Sequence, residues 1–275
     1  MRGKEFPQKK VLSLVLCVAV MLSVMVMGAG AAFSDQDKIE NTEAVDACSA
    51  LNIIGGYPDG SYKPEGNIKR SEITKMICVA LNGGKEPNVS TNTTPTFSDV
   101  RGTNAAWAEG YIESCVAQGI ISGVGGGRFS PNGNVTGTQL AKMLLVCLGF
   151  DSDIEGYTGA NWQVSVIKQA SGIGLDDGND EFVGSQAVTR QEAALYAFNM
   201  LQATMVEYDK NSTVIVGNIT IKEQSDAKEM ANTGKTDGNI DKDGKMQFAE
   251  KYFEDLKKFG ATDDFPRPAT QWKIK

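Results

Sequence analysis

Sliding the chain against itself by 67 residues superposes Cys48 on Cys115, Ile53-Ile54 on Ile120-Ile121, Gly56 on Gly123, Tyr62 on Phe129 and Pro64 on Pro131. The match continues without a gap through Asn67 on Asn134, Ile68 on Val135, Lys75-Met76 on Lys142-Met143 and Leu81 on Leu148. A third copy follows 55 residues later, bringing Trp107 onto Trp162 and Gly119 onto Gly174, and then drops two loop residues so that Val135 meets Val188. Repeats of this period are units that bury their apolar faces against one another rather than alone.

Each unit reads as a helix, a Gly-rich turn, a loop and a second helix. Trp107, Tyr111, Ile112 and Cys115 fall at helical spacing before Gly119 stops the helix. Gly55-Gly56-Tyr57-Pro58-Asp59-Gly60 is dense in turn residues, after which Ile73, Met76, Ile77 and Leu81 form a second apolar stripe. The expected fold is mainly α, with helix-loop-helix units at 40–84, 95–150 and 157–205 and a small β-hairpin/α region at 206–275.

Ahead of the repeats, Arg2, Lys4, Lys9 and Lys10 precede an uncharged apolar run from Val11 to Met27 and then Gly28-Ala29-Gly30-Ala31-Ala32. This pattern predicts a secretory signal over residues 1–31, cut after Ala31 or Ala32, with a retained N-terminal anchor as the alternative. No second span follows, so no membrane segment is expected after cleavage. The chain carries a net charge of -7, which repels nucleic acid and anionic polymers at long range, so an anionic ligand needs local cations. There is no histidine, which removes the commonest general base and metal ligand and disfavours an enzyme. Cys48, Cys78, Cys115 and Cys147 lie in helix-like patterns without a CxxC pair, which reads as buried free thiols, two disulfides being the alternative.

Leu51-Asn52-Ile53-Ile54-Gly55-Gly56-Tyr57-Pro58-Asp59-Gly60-Ser61-Tyr62-Lys63-Pro64 with Ile68-Lys69-Arg70-Ser71-Glu72 resembles the S-layer homology family. So does Phe97-Ser98-Asp99-Val100 with Trp107-Ala108 and Gly119-Ile120-Ile121-Ser122-Gly123; together the likeness covers roughly residues 40 to 205. The resemblance implies three units around a pseudo-threefold axis, one helix of each in a central bundle. It also implies a cell-surface protein held on the wall by a secondary cell-wall polysaccharide, often pyruvylated, bound in grooves between units.

The family's Thr-Arg-Ala-Glu-like tetrad is best kept as Thr189-Arg190-Gln191-Glu192. Thr189 and Glu192 suit a capping box, which leaves Arg190 unexplained because a cation in the first helical turn opposes the helix dipole. Free N–H groups beside a guanidinium suit a carboxylate. Lys69-Arg70-Ser71-Glu72 keeps the arginine and loses the cap, whereas Thr136-Gly137-Thr138-Gln139 keeps the cap and loses the arginine. Arg70 and Arg190 are thus the leading ligand contacts, with Lys69 beside them and a surface salt bridge as the alternative. Trp107 and Trp162 suit either a sugar face or core packing. Asp59, Gly60 and Lys63 are further candidates, while the acidic loop from Leu175 to Glu181 suits an anion poorly.

After the repeats, Met205 to Tyr208, Thr213 to Val216 and Asn218 to Ile221 alternate as a hairpin or meander would, and residues 223–245 read as a linker or mobile loop. Asn239, Asp241, Asp243 and Glu250 match calcium-loop spacing, with an Asp/Gly turn before an amphipathic helix from Phe248 to Phe259 as the alternative. Other than that calcium, no cofactor is expected. The expected partner is the wall polysaccharide or a peptidoglycan-linked glycan. Two other functions fit less well: a wall-moored carrier of a C-terminal activity, and a self-assembling envelope protein. The last stretch, to Trp272 and Lys275, reads as a domain cut short or a docking tail.

Overall fold

The computed structural model describes residues 33–209, 213–216, 219–222, 226–258 and 272–274; the expected signal segment lies outside them. The described chain is rich in helix. Its main elements are α1 (Thr42–Ala50), α2 (Arg70–Leu81), α3 (Glu109–Ala117), α4 (Gly137–Cys147), α5 (Trp162–Gly172) and α6 (Arg190–Gln202). Among the described residues no helix is long and apolar enough to cross a membrane.

The repeat dictates how these helices stop. α1, α3 and α5 end at Asn52, Gly119 and Gly174, three residues at one repeat position, and each adopts a left-handed φ (58, 69 and 72°). That conformation lets the chain reverse after the last helical turn, and Gly and Asn are the residues that adopt it at least cost. α4 and α6 start on reciprocal capping boxes: the Thr136 and Thr189 hydroxyls accept from the backbone of Gln139 and Glu192, whose side chains accept in return. At α2 only the Glu72 half survives, Lys69 N donating to Glu72 Oε2 at 2.9 Å, because an ammonium cannot accept a hydrogen bond.

Packing runs between units rather than within them. α3 lies on α2, α5 lies on α4, and α1 lies on α6, so each first helix covers the second helix of another unit and the series closes on itself. α2, α4 and α6 meet inside, and the buried apolar residues of all three units form one continuous core. At the N-terminal ends of the inner helices, the backbones form a closed ring: Ile68 N donates to Val188 O (3.0 Å), Val188 N to Val135 O (2.8 Å) and Val135 N to Ile68 O (3.3 Å).

The C-terminal region repeats this device at the opposite ends of the same helices. It contains β1 (Val206–Glu207), β2 (Thr213–Val216), β3 (Ile219–Lys222), β4 (Lys228–Glu229), α7 (Phe248–Tyr252), β5 (Leu256–Lys258) and β6 (Trp272–Ile274). β2 and β3 make the expected hairpin, while β1 pairs with β4 and β5 with β6, all antiparallel. Met205 N donates to Met246 O, Met246 N to Met230 O and Met230 N to Met205 O, each at 2.8 Å, which closes a second ring. It is tied to α4 through Val206 N and Leu148 O (2.8 Å), and Phe248, Ala249, Phe253, Leu256 and Trp272 are buried in the common core.

Two expectations fail here. The stretch read as a linker over 223–245 supplies Met230 to the second ring where it is described, runs directly into its third member Met246, and buries Asn232 and Asn239. The helix expected from Phe248 to Phe259 stops at Tyr252, because Phe253 and Leu256 turn into the core and the chain then pairs with β6.

If the C-terminal region closes the bundle, Phe248→Ala should cost about 3–5 kcal/mol, the usual range for a fully buried aromatic. Urea denaturation should show one transition with a lowered midpoint, not an unchanged transition with a second phase split off. Gly84→Ala should also be destabilising, since a Cβ there would lie 2.3 Å from Leu51 O on a backbone with φ +77°.

Candidate functional site

Arg70 and Arg190 open α2 and α6 and do the same job at two seams. Arg70 crosses from the first unit into the loop of the second, where Nε donates to Phe129 O and Nη2 to Ser122 O, both at 2.8 Å. Its guanidinium lies 4.5 Å from the centre of the Phe129 ring. Arg190 crosses from the third unit into the loop of the first, where Nε donates to Tyr62 O (2.9 Å) and Nη2 to Gly55 O (2.6 Å). It stacks on Tyr57 and Tyr62, and the Tyr62 hydroxyl donates back to Arg190 O at 2.8 Å. The acceptors Gly55 and Ser122, and Tyr62 and Phe129, are repeat equivalents. Both arginines are buried, with 6 % and 5 % exposure.

Burial draws the Arg70 pKa below its ordinary value and the Asp99 carboxylate opposes the shift; an arginine nevertheless stays charged. Placement in the first helical turn, against the dipole, is offset by two charge-assisted bonds to carbonyl oxygens and a stacked aromatic face. Arg190 also has its Nη1 4.0 Å from Glu72 Oε2.

The loops that receive the arginines are held by an aspartate. Asp99 accepts from Phe129 N (2.7 Å) and Ser130 N (2.8 Å), and Asp35 accepts from Tyr62 N (2.7 Å) and Lys63 N (2.9 Å). Burial opposes ionisation of both carboxyls, yet these backbone amides outweigh it and hold them below the usual carboxylate range. The first unit therefore begins at Phe33-Ser34-Asp35, the counterpart of Phe97-Ser98-Asp99, and the rings of Phe33 and Phe97 pack on Tyr62 and Phe129. The repeated Phe-Ser-Asp tripeptide was the sequence signal for this boundary, which the expected start at residue 40 passes over.

The third seam lacks the clamp. Gly137 takes the arginine's place, and the ring of Phe182, the counterpart of Tyr62 and Phe129, has moved in so closely that a Cβ on Gly137 would lie 2.6 Å from it.

The other candidates lie around the first two seams. Lys69 reaches Asn134 Oδ1 at 3.0 Å across the first. At the seam between the third unit and the first, Lys63 sits 4.2 Å above the Tyr57 ring and 3.3 Å from Asp59 Oδ2, while Gly60 turns the loop with φ +81°. Trp107 is 51 % exposed and lies edge-on to Tyr111, whereas Trp162 is half-buried beside Lys142. The four calcium candidates do not converge. Glu250 is buried and accepts from Asn232, Gly238 and Ile240, Asn239 donates to Glu254 O, and Asp243 accepts from Lys245 and Gln247. Among the described residues no three His, Cys, Asp or Glu side chains come together as a metal site would require.

The S-layer homology domain family model matches residues 32–74 and 96–141, the first two units, and the first match begins beside Phe33. The chain is similar to the middle cell wall protein of Brevibacillus brevis, 25% identical over 77% of this chain and 20% of that protein. It is similar to a cell surface protein of Thermoanaerobacter kivui, 27% identical over 75% of this chain and 26% of the relative. A cellulosome-anchoring protein of Acetivibrio thermocellus is 32% identical over 42% of this chain and 25% of its own length. The chain thus spans about a quarter or less of these relatives. Two matched repeats, at positions where loops and an arginine interlock, show that residues 32–74 and 96–141 are S-layer homology domains, in a chain similar to proteins of the cell wall and cell surface.

Proposed function

We propose that residues 33–205 are a non-catalytic anchoring module, three units about a pseudo-threefold axis, that holds an exported protein on the cell wall by gripping an acidic secondary polysaccharide along its seams. The observation that carries this reading is the repeated arginine crossing, which joins two inter-unit seams in one geometry. With Nε and Nη2 anchored, Nη1 of each guanidinium is what remains for a ligand carboxylate such as a pyruvate ketal, which at Arg190 would compete with Glu72 4.0 Å away. Lys69 adds an accessible charge at one groove, Lys63 at the other, and Trp107 offers an exposed ring for a sugar face. The seam filled by Phe182 contributes least. Weak grooves acting together on a repetitive polymer gain avidity without any single tight site. No cofactor enters this reading.

Cell-wall sacculi should sediment the protein, and chemical removal of their attached polysaccharide should abolish that binding; binding that survives would point to peptidoglycan and overturn the assignment. Lys69→Ala should weaken binding by up to about tenfold, or ~1.4 kcal/mol, more at low salt, without lowering the unfolding midpoint. Arg70→Ala should behave differently. It strands the Phe129 and Ser122 carbonyls at about 1–3 kcal/mol each, so both the thermal midpoint and wall binding should fall.

A further inference from the structure

Among the described residues four of the five cysteines are found, all buried and unbonded, but they are not equivalent. Cys78 on α2 and Cys115 on α3 face each other across the seam between the first two units, with their sulfurs 3.3 Å apart. A disulfide needs about 2.05 Å, so closure asks for a movement of only about 1 Å. The repeat explains why this happens at one seam alone. Cys48 is the counterpart of Cys115, but on α6 the residue matching Cys78 is Phe198, and the Cys48 thiol points to Ala194 O at 3.4 Å. At the third seam Ala170 and Leu145 hold the two positions.

We infer that Cys78 and Cys115 form a reversible inter-unit disulfide that staples α2 to α3 when the protein meets an organic disulfide outside the cell. Cys78 is the attacking group. Its hydrogen bond with Cys115 holds its pKa below the ordinary thiol value, whereas hydrogen bonding and burial raise Cys115, and burial raises Cys48 and Cys147. The Cys78 sulfur forms a bond to one sulfur of the oxidant and expels the other half as a thiolate. Cys115 then gives up its proton, attacks the Cys78 sulfur and expels the second half. The protein loses two hydrogens and the oxidant becomes two thiols. Exported proteins persist in settings where such a bond survives.

The test is to refold the full chain from urea with cystamine present throughout, so that access to a buried thiol does not limit the result. Free thiols are then blocked under denaturing conditions and the peptides are mapped by mass spectrometry. A single Cys78–Cys115 pair, with Cys48 and Cys147 blocked as free thiols and a urea midpoint above that of Cys115→Ser, is expected. Cys78 and Cys115 both blocked as free thiols, a persistent cysteamine adduct on either, a bond from either residue to another cysteine, or an unchanged midpoint despite the correct bond would overturn the inference.

Discussion

Everything in this fold depends on a ring of three backbone hydrogen bonds between residues far apart in sequence, Ile68, Val135 and Val188. None of these amides has a partner in its own unit, and a buried amide left unpaired costs about 1–3 kcal/mol. One unit alone would therefore expose both its ring strand and the apolar stripe of its second helix. The closed order of helix packing, with α1 on α6 joining first unit to last, follows from the same requirement. The second ring through Met205, Met230 and Met246 applies the solution again where the inner helices end.

The arginine clamp answers the question the sequence leaves open. A cation at a helix N-terminus is electrostatically misplaced on its own helix, so the compensation has to come from elsewhere. It comes from the carbonyl oxygens of another unit's loop, which turn toward the guanidinium because an aspartate holds the backbone amides of the same loop on its other side. Aspartate, loop and arginine form one chain of charge-assisted bonds across each intact seam. Where the arginine is missing, an aromatic ring fills the space, which preserves packing density and removes the charge.

How much of this was legible depended on the range of the interactions. The six repeat helices, their glycine or asparagine stops and their capping boxes follow from local chemistry, and the periodicity exposed them. Burial of Arg70 and Arg190 did not, because their acceptors belong to a different unit. The C-terminal region was misread for a related reason. A stretch rich in Gly, Asp and Lys looks like a linker, yet Asn232 and Glu250 are buried because they bond to each other at 2.6 Å. Mutual satisfaction of polar groups leaves no hydrophobic pattern to read.

Burying the arginines also separates two requirements that the sequence presents together. A guanidinium fixed by two carbonyls and an aromatic ring would lose almost no conformational freedom on meeting an anion, so under the proposed function its contribution is preorganisation. The more exposed lysines at the same seams, Lys63 and Lys69, would supply charge that solvent and salt can modulate. On a chain of net charge -7 that division has a consequence. Long-range attraction to an acidic polymer is absent, so capture depends on contacts made within about a Debye length, ~8 Å at physiological salt. Under the proposed function, association at such a surface would be governed by fit along the seams, and the number of intact seams would set how long the protein stays.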